Sequence, residues 1–138
     1  MKSIILFTDS PIDSTICDKA LKPVFPKIKI TDAYVFYGKP PKSFNFDIED
    51  KRDKDSFEPL DEETASKIPI SNPYCTVISF HYEDMMKQVV TALEPLFPEL
   101  FICEDQIDWF GTADEYINLD YSEYYYPDHS KKPKCYHN

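Results

Sequence analysis

YCTVISFHYEDMMKQVVTALEPLFPELFICED, residues 74–105, carries two hydrophobic periods one after the other. Tyr74 to Phe80 is apolar almost throughout, the pattern of a strand covered on both faces. Glu83 and Asp84 then place negative charge where a helix N-terminus favours it, and Met86, Val89, Val90, Leu93 and Leu96 form one apolar stripe at helical spacing. Pro95 and Pro98 end that helix, and Leu100 to Cys103 begins another central strand. The pattern predicts a β-α-β unit in the middle of a sheet.

Towards the N-terminus, SIILFTD is short and apolar enough for a buried strand. Ser10 followed by Pro11 predicts a helix N-cap with proline at the first helical position, and Ile12, Ile16, Cys17, Ala20, Leu21 and Val24 continue at helical spacing until Pro23 and Pro26. Residues 27–38 alternate with period two, which puts Ile28, Ile30, Tyr34 and Phe36 on one inward face. After the turn Gly38-Lys39-Pro40-Pro41 the alternation resumes with Phe44, Phe46 and Ile48 inward, so the two segments read as an antiparallel hairpin. Residues 47–63 hold nine acids against Lys51, Arg52 and Lys54, and read as a long surface loop that ends in a short helix around 61–67.

These elements sum to a single α+β domain over residues 1–119: a mixed β-sheet with a β-hairpin, the central β-α-β unit and two or three short helices. Residues 120–138 form a Tyr-rich tail, either packed on the domain or mobile. With 138 residues, 42% of them hydrophobic, the chain can bury one core. Its acidity is therefore not a mark of disorder.

Twenty-five acids against 15 bases give a net charge of −10, a field that repels nucleic acid phosphates and anionic lipid and attracts basic partners. The apolar run at the start, Ile4 to Phe7, is too short for a signal peptide, and no other run approaches a membrane span. The expectation is a cytoplasmic protein with no membrane or direct nucleic acid contact.

Two glycines, Gly38 and Gly111, leave no room for a phosphate-cradling loop or a nucleophile elbow, so no cofactor and no catalytic centre are expected. His81, at the end of a predicted strand with Glu83 and Asp84 close by, is the one candidate general base; a histidine there also serves simply to cap or pack. Cys17, Cys75, Cys103 and Cys135 form no CxxC pair, and the first three sit in apolar company, as core thiols do. Asp128, His129, Cys135 and His137 match no structural-zinc spacing, so no metal site is expected.

The chemistry concentrates in EDQIDWFGTADEYINLDYSEYYYPD, residues 104–128, which holds eight carboxylates and not one Lys or Arg, threaded with aromatics. It reads as a partner-binding face made of Glu104, Asp105, Asp108, Trp109, Asp114, Glu115, Tyr121, Glu123, Tyr124, Tyr125 and Tyr126. Tyrosine and tryptophan supply rigid anchors, while carboxylates steer and select a basic partner. A solvated helix over TADEYIN followed by tyrosines packing on the domain would use the same residues more plainly.

Residues 76–118, about a third of the chain, resemble the C-terminal portion of small bacterial immunity proteins of polymorphic toxin and contact-dependent inhibition systems. In that family a short amphipathic helix leads to a strand, an acidic turn with a following aromatic, and a helix opening T-x-x-E/D. Here these are Glu104-Asp105, Trp109-Phe110 and Thr112 to Ile117. The resemblance implies an antitoxin that binds and neutralises one cognate toxin, a basic nuclease, and leaves oligomeric state open. Residues 1–73 and the tyrosine tail match no motif of that family. Two other classes use the same features: a phage-type inhibitor or DNA mimic of a host enzyme, and a small hydrolase or transferase working through His81.

Overall fold

A computed structural model describes residues 2–48, 66–71 and 73–125, apart from the side chains of Asp105, Tyr124 and Tyr125. Seven strands make one open sheet: β1 (Lys2–Thr8), β2 (Lys29–Ile30), β3 (Tyr34–Lys39), β4 (Lys42–Asp47), β5 (Tyr74–Phe80), β6 (Phe101–Glu104) and β7 (Trp109–Thr112). Their order is β2-β3-β4-β5-β1-β6-β7. Helices α1 (Ser14–Ala20), α2 (Glu83–Leu93), α3 (Ala113–Ile117) and α4 (Ser122–Tyr125) complete the α+β fold.

The strand-helix-strand reading of residues 74–104 holds, and α2 buries Met86, Val89, Val90 and Leu93 as its stripe requires. β5 and β6 are not neighbours, however, because β1 lies between them and pairs antiparallel with both. The sheet is therefore antiparallel at every described pairing, not mixed, and the β-α-β unit is split by the first strand. Local periodicity carries no information about such a distant insertion.

Register sorts the side chains between two faces. Ile4 lies opposite Ile78 and Glu104, and Leu6 opposite Ile102, on the face that the helices cover. α1 joins this core through Cys17, with Leu21 and Phe25 following it. It starts later than the Ser10-Pro11 pair predicts: Asp13 is the N-cap, accepting from the Ile16 N–H at 2.9 Å. A carboxylate with the right backbone geometry satisfies that amide better than a serine three residues upstream, whose carbonyl instead accepts from Thr8 Oγ1.

The hairpin β3–β4 is as the turn predicts, closed at Lys39 and Lys42. Gly38 sits at φ 76, and a Cβ there would meet the Lys42 carbonyl oxygen at 2.1 Å, so no other residue fits without rebuilding the turn. The inward face assigned to residues 34–36 is reversed. Val35 is buried, while Tyr34 and Phe36 point away from the helices. A turn at 31–33, with Thr31 Oγ1 accepting from the Ala33 and Tyr34 amides, separates β2 from β3 and resets the alternation that one continuous strand would have kept.

On the second face, Phe7, Cys75 and Cys103 are covered by Ile68 and Ile70. That segment, 66–71, gives the sheet a small second core. Beyond it Val77, Tyr34 and Phe36 remain exposed. No described helix is long and apolar enough to cross a membrane. The acidic connector from residue 49 to residue 65 and residues 126–138, with the tail's cysteine and histidines, lie outside the described residues.

Candidate functional site

β6 places Glu104 on the helix-covered face, opposite both Ile4 and Trp109, and leaves it fully buried. The Gln106 N–H donates to its Oε1 at 3.0 Å, and the Tyr121 hydroxyl donates to its Oε2 at 2.7 Å. Tyr121 and Tyr116 hydroxyls are 2.7 Å apart. Since Tyr121 spends its one proton on Glu104, Tyr116 is the donor in that second bond. Burial, then Tyr116 and Glu104 beside it, push the Tyr121 phenol far above its ordinary range, so it stays a neutral donor. Glu104 and Tyr121 therefore do not belong to a docking surface, because an outside partner cannot reach either of them.

Trp109 faces the same side one strand further out. Its ring lies half-buried over Gly111 and 5.9 Å, centroid to centroid, from Tyr116. A Cβ on Gly111 would stand 2.5 Å from the indole, so the glycine is what lets the ring fold down. Gly111→Val should lift Trp109 off the sheet. We expect about 2 kcal/mol of destabilisation, the scale of overpacking, and a red-shifted emission from the chain's one tryptophan. Unchanged emission would place the ring elsewhere.

α3 begins with a complete capping box: the Glu115 N–H donates to Thr112 Oγ1 at 3.2 Å and the Thr112 N–H donates to Glu115 Oε1 at 2.8 Å. Asp120 likewise accepts from the Ser122 N–H and hydroxyl at the start of α4. Lys87 donates to the Leu119 carbonyl, which ties α2 to this turn. Three of the segment's acids thus have folding duties: Glu104, Glu115 and Asp120. Asp108, Asp114 and Glu123 are exposed and enter none of the ion pairs that join described residues. Asp108 takes the left-handed conformation, φ 52, between the turn at 105–107 and β7, a position that Asp tolerates better than most side chains.

The structure therefore divides the predicted face. Asp108, Asp114, Glu115 and Glu123 are exposed and Trp109 is half-buried, whereas Glu104 and Tyr121 lie inside. Asp105 is on the turn after β6, Tyr124 and Tyr125 are on α4, and Tyr126 is outside the described residues. Period two from buried Ile102 would have located Glu104, and the wide apolar spacing Tyr116, Leu119 and Tyr121 would have marked the inner tyrosines.

His81 is half-buried at the junction of β5 and α2. Of the two carboxylates a hydrolase could pair with it, Glu83 holds Lys2 at 3.2 Å and Asp84 is exposed. Cys17, Cys75 and Cys103 are buried. Burial, helped by the Asp13 carboxylate, pushes the Cys17 thiol up to about 12, a poor nucleophile at neutral pH. A groove of about 690 Å³ between α1 and the β2–β3 turn is lined by Ser14, Asp18, Lys22 and Asp32 among others, and reaches neither His81 nor residues 104–123. Comparison with known families, with curated proteins and with solved structures finds no match to this chain.

Proposed function

We propose that this chain is an immunity protein, which binds one cognate toxin in the cytoplasm and neutralises it by occupying a basic surface such as that of a nuclease. The observation that supports this is the exposed acidic rim. Asp108, Asp114 and Glu123 are exposed, enter none of the ion pairs that join described residues, and fall with exposed Glu115 and half-buried Trp109 in one short segment, residues 108–123. Uncompensated carboxylates concentrated in one short segment repel one another, and they gain when a cation approaches. The chain's net charge of −10 adds a long-range field of the same sign, favourable to a basic protein and hostile to nucleic acid. In this reading the chain neutralises by blocking and catalyses nothing itself.

The test is binding kinetics with the product of the adjacent gene. A stoichiometric complex is expected. Combining Asp108→Asn, Asp114→Asn and Glu123→Gln should slow association by on the order of 10-fold at low salt and flatten its salt dependence, with dissociation little changed. Each substitution keeps shape and spares the capping box. Identical association rates in a folded triple variant would remove the rim from the interface.

A further inference from the structure

The sheet face turned away from the helices shows three exposed apolar side chains, Tyr34 (39%), Phe36 (41%) and Val77 (44%). Strand pairing sets them in a mosaic. Lys29 is opposite Phe36, which is opposite Asn45 and then Ser79; Tyr34 is opposite Asp47. Directly opposed residues of an antiparallel pair share a face, so one cation and one anion flank an aromatic pair whose ring centroids are 6.3 Å apart. Neither Lys29 nor Asp47 enters an ion pair that joins described residues.

We propose that this face of β2, β3 and β4 is a homodimer interface, covered by a second copy of this chain. The charge pattern selects that occupant. A basic partner finds no acidic surplus here, because Lys29 offsets Asp47. The acidic rim begins on β7, five strand steps from β3, about 24 Å at ordinary strand spacing and well beyond the Debye length in physiological salt. A second copy is complementary instead. A twofold axis lying in the interface and passing between Tyr34 and Phe36 sets Lys29 of each protomer over Asp47 of the other, and packs the aromatic pair on its own counterpart. Mutual repulsion of two chains at −10 opposes this, and the patch is small, so the dimer is weak and concentration-dependent.

The inference is independent of the immunity reading and is tested without a toxin. Sedimentation equilibrium of the purified chain in physiological salt, from roughly 10 μM to 1 mM, brackets what a small interface sustains. The mass should rise from monomer towards dimer. Phe36→Ser should weaken association 10-fold or more. Lys29→Asp and Asp47→Lys should each be monomeric alone, yet associate when mixed, because the mixture restores both charge pairs. All three positions are exposed, and rescue on mixing is itself proof that the charge variants fold. A wild-type chain that stays monomeric throughout, a dimer indifferent to Phe36→Ser, or a mixture no stronger than its components would each overturn the proposal.

Discussion

Glu104→Ala should destabilise the fold by about 3 kcal/mol, a large effect for one residue, because it strands the buried Tyr121 hydroxyl and takes the acceptor from the part-buried Gln106 N–H. The Tyr121 hydroxyl and the Gln106 N–H both donate to this carboxylate, and Tyr121 in turn accepts from Tyr116. Each buried donor left without an acceptor costs about 1–3 kcal/mol. Tyr121→Phe, which removes one donor and keeps the ring, should cost about 2 kcal/mol, as for a bond to a charged group. Urea unfolding gives the ranking, with midpoints shifting at constant slope. A loss below about 1 kcal/mol for Glu104→Ala would mean that water replaces the carboxylate.

The same cluster sets an alkaline limit. The folded phenol of Tyr121 titrates far above its ordinary value of 10.0. Its contribution is therefore complete below that value and declines as pH rises past it, since only the unfolded chain can release the proton. Tyr121→Phe should weaken that dependence.

Phe7→Ala should cost about 3–5 kcal/mol. Phe7 is fully buried on the face away from the helices, opposite Cys75 on one side and Phe101 on the other, in one cluster with Ile68, Ile70 and Cys103. Truncation would empty the centre of this second core, and the segment at 66–71 would lose its main apolar partner. Hydrogen exchange in 66–71 should accelerate more than in α2, which packs on the other side of the sheet. Val77→Ser, on the same face but exposed, should change stability by less than about 0.5 kcal/mol. If the two substitutions cost the same, residues 66–71 do not form a core with the sheet.

Sequence periodicity made much of this legible. The stripe of α2 and the apolar run of β5 each state their burial locally, and the Gly38-Lys39-Pro40-Pro41 turn announces the hairpin around it. What stayed hidden depends on contacts between distant residues. Nothing local to β5 or β6 says that β1 slips between them. Residues 27–38 read as one continuous alternation, and the turn that Thr31 makes within it inverts Tyr34 and Phe36. Within the acidic segment, composition alone gave every carboxylate the same meaning. The fold assigns Glu104, Glu115 and Asp120 to hydrogen bonding and leaves Asp108, Asp114 and Glu123 exposed, outside the ion pairs that join described residues.

The central position of β1 has a consequence for how the chain is made. β1 has neighbours that emerge far later: Ile4 pairs with Ile78 and with Glu104. At about 5–20 residues per second, β1 waits several seconds on the ribosome with both of its edges unpaired. Loop closure over such separations comes before any reward, so assembly should be slow for so small a domain. The hairpin β3–β4, whose pairings are nearly all local, can form in the meantime as a template to which β5 adds. The apolar Ile4-Ile5-Leu6-Phe7 run is then the stretch most exposed to wrong pairing before its neighbours arrive.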